Sequence, residues 1–182
     1  LYANTTASNN VALGSYALAA NTTGGANTAI GSSSLGANTT ASNNVAVGHY
    51  ALLANTTGTG NTALGSLAGD ALTVGGFNTA IGHTALGADT KGKHSVAIGY
   101  GALTSQNFTS LTNSLNVAIG NNSLYTNTTG VTNTGVGYGT LYSNTTGNSN
   151  VAVGNDALAT NTTASNNTSI GTYSLQLNTT GA

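Results

Sequence analysis

The sequence predicts an all-β fold, a parallel β-solenoid (β-roll) of ten 17-residue coils with two short strands per coil. The motif Asn-(Val/Thr)-Ala-(Ile/Val/Leu)-Gly returns along the whole chain. Its closing glycine recurs every 17 residues, apart from one step of 21. This period is too short for a pair of helices and fits one coil of a β-solenoid. The marker glycines are Gly14, Gly31, Gly48, Gly65, Gly82, Gly99, Gly120, Gly137, Gly154 and Gly171.

The motif itself predicts the first strand of each coil. The residue before the marker glycine is aliphatic in all ten coils, and the residue two positions earlier is Val or Thr. Such residues at alternate positions are typical of one strand face, which we expect to be buried. The position between them is Ala in eight coils, with Gly135 and Ser169 in the other two. We expect this second, closely packed face to contact sister chains, which predicts a homo-oligomer, most simply a trimer.

A leucine four residues after the marker glycine predicts the second strand, as at Leu18 and Leu35. Polar corners separate the two strands. An asparagine precedes the first strand, and an Asn-Thr-Thr-(Gly/Ala) segment follows the second in most coils. Asn and Gly tolerate the positive φ that corners require. Equivalent asparagines in successive coils are therefore expected to stack into amide ladders.

Residues 1–182 are interpreted as a single repeat solenoid segment, an excerpt of a longer fibre, because the chain opens midway through a repeat. The coils are irregular over 66–116, with a four-residue insertion between Gly99 and Gly120. Binding residues are often added to solenoids in such insertions. A surface bulge is the simpler interpretation.

Composition excludes several classes of partner. The 182 residues include two Lys or Arg and three Asp or Glu, for a net charge of -1, whereas about 25 % of residues are charged in average globular domains. A surface without basic patches does not attract nucleic acid. No apolar run is long enough for membrane insertion. The absence of cysteine rules out disulfides and thiolate metal sites.

The few charged residues offer little material for catalysis. Asp89, Lys91, Lys93 and His94 fall in one coil, where they replace the usual corner. A solvated corner is the simplest interpretation, and a ligand-contacting patch or an ion pair between chains is the alternative. We predict no catalytic residues, no cofactor and no metal site, and we expect no enzymatic activity.

Eight Asn-Thr-Thr triplets are acceptor sequons for N-glycosylation. Their corner position also explains the asparagines structurally, so a glycosylated fibril without a specific receptor stays an alternative function. A further alternative is an ice-binding solenoid that uses the many threonines. The sequon asparagines are Asn4, Asn21, Asn38, Asn55, Asn127, Asn144, Asn161 and Asn178.

The motif at residues 95–99, Ser-Val-Ala-Ile-Gly, resembles the repeat of trimeric autotransporter adhesin heads. The longer unit at residues 133–147 resembles the repeat shafts of tail-fibre-like proteins. The adhesin resemblance implies a left-handed parallel β-roll, although the repeat here is longer than is usual in that family.

Together these features predict a structural segment of an extracellular fibre, a stalk or head that mediates attachment through its repeat surface. The expected partners are further copies of the chain and surface glycans or a cell-surface receptor. The expected location is the cell surface, the extracellular space or a virion fibre.

Overall fold

A computed structural model describes residues 2–179 and residue 181, and they form a parallel β-solenoid. The chain makes about nine turns of about 17 residues, with two short strands per turn. The described part of the chain contains no helix, and so none of the length and apolarity needed to cross a membrane. The predicted fold class is confirmed.

Each coil contributes one three-residue strand to a ten-stranded parallel sheet, and a second sheet has two strands of two residues. The strands are β1 (Val11–Leu13), β2 (Thr28–Ile30), β3 (Val45–Val47), β4 (Thr62–Leu64), β5 (Thr79–Ile81), β6 (Gly92–Lys93), β7 (Val96–Ile98), β8 (Thr112–Asn113), β9 (Val117–Ile119), β10 (Thr134–Val136), β11 (Val151–Val153) and β12 (Thr168–Ile170).

Equivalent residues of successive coils lie beside one another in the sheet. Val11 pairs with Thr28, and every later pairing in the main sheet repeats this register. The insertion does not disturb it, because β7 and β9 pair Val96 with Val117. The extra residues lie in the corner instead, where β8 pairs with β6 of the preceding coil.

The second hydrogen-bonded segment of each coil runs through the repeat leucine. Leu18 N–H donates to Ser34 O and Ala20 N–H donates to Gly36 O, both at 3.1 Å, so this segment also pairs with the next coil. The leucines have positive φ, for example 50° at Leu18. This conformation turns the backbone and keeps the segment short. It also directs the leucine side chains inward, where those from Leu18 to Leu158 are fully buried.

The prediction of which strand face is buried is wrong. The alanines lie inside the coil, and Ala29, Ala46 and Ala63 are fully buried. The aliphatic residues that flank them point outward, and Leu64 is 48 % exposed. The interior of a 17-residue coil is narrow, since the repeat leucines fill it from the opposite wall. Only small side chains fit on the strand side, mostly the methyl group of alanine.

One coil shows how little space the interior leaves. Gly135 replaces the alanine, and a Cβ there would lie 2.5 Å from Ser123 Oγ and 2.7 Å from Thr140 Oγ1. Ser123 and Thr140 occupy a slot that is alanine in most coils. The larger side chain on one wall is therefore accommodated by the smaller residue on the other.

The predicted asparagine ladder before the first strand is confirmed. Asn27 N–H donates to Asn10 Oδ1 at 2.9 Å, and the same bond recurs from coil to coil. Each side-chain amide also donates to a corner carbonyl, as from Asn44 to Gly58 O at 3.0 Å. Buried amides are stable only when hydrogen bonded. The ladder therefore satisfies backbone and side chain together.

Candidate functional site

The sequon asparagines form a second ladder inside the solenoid. Asn38 Nδ2 donates to Asn21 Oδ1 at 2.8 Å and to Ala41 O at 3.0 Å, and Asn144 makes the equivalent pair of bonds. Six of the eight predicted residues are fully buried, namely Asn21, Asn38, Asn55, Asn127, Asn144 and Asn161. Asn4 is exposed and Asn178 is partly buried.

This burial bears directly on glycosylation. The amide nitrogen that would carry a glycan is the atom that donates these bonds, so a glycan there requires an open coil. The Asn4 amide, in the first coil, makes the local bond of the ladder, to Ala7 O at 3.2 Å. Glycosylation stays a prediction, and the fold disfavours it at the six buried asparagines.

The corner threonines form two columns with different roles. The hydroxyl of the first threonine donates to the next coil, as from Thr22 to Thr39 O at 3.0 Å and from Thr39 to Thr56 O at 3.1 Å. The second threonine is exposed, as at Thr23 and Thr40. Half of the hydroxyls that an ice-binding surface would need are therefore used inside the structure.

The charged corner is only partly the solvated corner that was predicted, since His94 is exposed and Lys91 and Lys93 are half-buried. Asp89 is fully buried, and its Oδ1 accepts a bond from Gly92 N–H at 2.9 Å. Its Oδ2 accepts a bond from Gln106 Nε2 at 2.7 Å. The Lys91 ammonium donates to Thr109 O at 2.9 Å, within the insertion. These bonds fasten the inserted loop to the preceding coil, which is a structural role. The His94 ring stacks on Phe77 of the coil before it, with ring centroids 5.5 Å apart.

The titratable groups do not converge. No group of three or more His, Cys, Asp or Glu residues that could hold a metal lies within residues 2–179 and 181. Asp70 is half-buried, and it lies on a different coil from Asp89. Burial raises the pKa of its carboxyl above the ordinary value, and hydrogen bonds from the backbone N–H groups of Asp70 and Ala71 oppose that increase.

The outward side chains of the main sheet form a continuous surface along the solenoid, the strand-face strip. None of its members is buried in the single chain. One column is wholly aliphatic, and the other contains five Val and five Thr. The members are Val11, Leu13, Thr28, Ile30, Val45, Val47, Thr62, Leu64, Thr79, Ile81, Val96, Ile98, Val117, Ile119, Thr134, Val136, Val151, Val153, Thr168 and Ile170.

A cleft of about 450 Å³ lies on the surface between coils near the C-terminal end of the solenoid. Gly139 and the exposed residues Tyr138 and Tyr142 line it. Asp156 and Gln176 line it from the two following coils. The Tyr142 ring is held in place by stacking on Tyr125, with centroids 5.2 Å apart and planes 3° apart.

The sequence analysis missed the cleft. It can be found by comparing the residues at equivalent positions of successive coils. The Tyr-Gly dipeptide occurs twice in equivalent positions, at Tyr100-Gly101 and Tyr138-Gly139, and the coil after the second carries Ala159 where the coil after the first carries Tyr125.

No family model, curated protein or solved structure matches this chain.

Proposed function

We propose that this chain is a structural segment of an extracellular fibre that associates with copies of itself, most simply as a trimer, and mediates attachment without a catalytic step. The observation that carries the proposal is the strand-face strip. Exposed apolar patches on soluble proteins often mark protein contacts, and this one continues along all ten strands of the main sheet.

The strand-face strip is suited to contact with the same strip of another copy of the chain. It contains no charged residue, so two or more copies approach one another without burying an unpaired charge. Its side chains recur with the sheet register, about every 4.8 Å. Identical strips therefore present matching ridges and gaps along their whole length.

The shape of the strip favours three chains over two. Ten strands at a spacing of about 4.8 Å span about 43 Å, whereas the strip is only two side chains wide, about 7 Å. A stable interface between two flat faces commonly buries about 800 Å² on each partner. A surface this narrow is covered more completely when three copies converge on a common axis.

The uncharged surface supports a fibre rather than an enzyme. With five charged side chains in the whole sequence and three acidic groups on separate coils, the chain offers no convergent acid, base and nucleophile. The regular stacking gives a rigid rod whose sides repeat, which is the geometry of a stalk or head that presents contacts along its length.

The proposal is tested by light scattering on three proteins. Ile98 lies near the middle of the strip, and Ile98→Lys places a charge there without entering the coil interior. Thr57→Lys is the matched control, because Lys91 occupies the equivalent slot of its own coil. We expect a mass of three times the 17.7 kDa chain for the unaltered protein and for Thr57→Lys, and a monomer with unchanged circular dichroism for Ile98→Lys. A monomeric unaltered protein, or an undisturbed trimer of Ile98→Lys, would contradict the proposal.

A further inference from the structure

We infer that the cleft above Gly139 binds a neutral sugar unit, such as a hexose of a cell-surface glycan. The inference rests on the proposed attachment function and deepens it, since it gives the fibre a ligand class and a site. The volume of the cleft, about 450 Å³, lies within the range of about 300–1,000 Å³ common for small-molecule sites.

The cleft exists because one side chain is missing from an otherwise repeated arrangement. Above Gly101, the gap is filled, since an added Cβ would lie 2.7 Å from Asn122 Oδ1 and 3.2 Å from the Tyr125 ring. Asp156 occupies above Gly139 the position that Asn122 has above Gly101, and its carboxylate would also contact an added Cβ, but no ring of the described residues lies within 4 Å of that Cβ. Ala159 stands where a tyrosine would close the space.

Aromatic faces and hydrogen-bonding groups meet in this space. The exposed Tyr138 and Tyr142 rings offer apolar faces on which the C–H side of a pyranose can lie. Stacking on Tyr125 fixes the Tyr142 ring before a ligand arrives, so less conformational entropy is lost on binding.

The polar groups suit hydroxyls. Asp156 accepts one bond at Oδ2, from Asn155 Nδ2 at 2.8 Å, which leaves lone pairs to accept bonds from two neighbouring sugar hydroxyls. The Gln176 amide adds a donor and an acceptor at the rim. Bonds to a carboxylate are stronger than bonds between neutral groups, and so give orientation as well as affinity.

The electrostatics select a neutral ligand. The residues that line the cleft include one carboxylate and no Lys, Arg or His. A phosphate, sulfate or acidic sugar would therefore bring a second negative charge beside Asp156 with no cation to offset it. The site consequently disfavours acidic glycans.

The inference is tested by saturation-transfer NMR with the methyl glycosides of glucose, galactose, mannose and N-acetylglucosamine, and with sialic acid methyl glycoside as the acidic comparison. Ala159→Tyr closes the cleft with the residue that the chain itself uses at position 125. Ala19→Tyr makes the same change in the same slot of a distant coil and is the control.

We expect millimolar binding of at least one neutral glycoside, loss of that binding in Ala159→Tyr, and unchanged binding in Ala19→Tyr. Asp156→Asn is expected to weaken binding by about tenfold, because a charge-assisted bond is lost. The inference is overturned if none of the neutral glycosides binds, if Ala159→Tyr binds as the unaltered protein does, or if the sialoside binds as well as the neutral sugars. Light scattering on the same samples separates the two proposals, since a trimer without sugar binding contradicts only the cleft, and a sugar-binding monomer contradicts only the self-association.

Discussion

Gly82→Ala is expected to destabilise the solenoid by about 3–6 kcal/mol, a large share of the 5–15 kcal/mol typical of a folded domain. Gly82 has a φ of +129°, and an added Cβ would lie 2.4 Å from Gly99 O and 2.6 Å from Gly99 C. The obstruction is backbone, so no side-chain rotation relieves it. Urea unfolding followed by circular dichroism measures the loss.

Gly171→Ala is the matched control for this substitution. Gly171 has nearly the same φ, +123°, but the nearest atom to an added Cβ is Ser174 Cβ at 3.9 Å. It therefore carries the conformational strain without the clash, and we expect a cost of about 1–3 kcal/mol. Equal costs at Gly82 and Gly171 would show that contact between coils is not what requires the glycine.

Leu72→Asn and Gly69→Leu are expected to be strongly destabilising alone and much less so together. In this coil the leucine and the ladder asparagine are both replaced, by Gly69 and Leu72 respectively. A Cβ on Gly69 would lie 3.1 Å from Leu72 Cδ1 and from Leu52 Cδ2, so Leu72 fills the space of the missing leucine. Leu72→Asn leaves a cavity that costs about 2–5 kcal/mol, and Gly69→Leu overfills the core at about 1–3 kcal/mol.

The double variant restores the repeat leucine at position 69 and the ladder asparagine at position 72. Residue 69 has a φ of +57°, close to the values of the repeat leucines, so leucine fits there without new strain. An asparagine at position 72 would also give a donor to Asn55 Oδ1, a buried atom that has no hydrogen-bond partner. A double-mutant cycle on the urea midpoints is expected to give a favourable coupling of about 2 kcal/mol or more. Additive effects would contradict this account of the irregular coil.

The 17-residue period was sufficient to predict the columns of equivalent residues, because stacking in constant register depends on spacing alone. It was not sufficient to decide which strand face points inward. Ala97 and its flanking Val96 and Ile98 are all apolar, so both faces read as buried. The deciding quantity is the width of the interior, and the repeat leucines and ladder asparagines set that width from the opposite wall.

Other features depended on departures from the repeat. Asp89 and Gln106 replace ladder asparagines in successive coils and bond to each other at 2.7 Å, which a slot-by-slot comparison of the sequence could have indicated. The cleft could be found in the same way from Ala159. The repeat did not predict that the sequon asparagines are buried. The side chain of a corner residue can face solvent or the interior, and only the packed structure shows that these face the interior.

The orientation of the strand faces is the central claim, and cysteine labelling tests it most directly. The chain has no cysteine, so single-cysteine variants report one position each. We expect Ala97→Cys to resist maleimide until the protein is unfolded, since Ala97 is fully buried. We expect Ile98→Cys, under mild oxidation, to form disulfide-linked pairs of chains. Rapid labelling or cross-linking of Ala97→Cys, with Ile98→Cys protected inside a single chain, would contradict the structure and the association proposed from it.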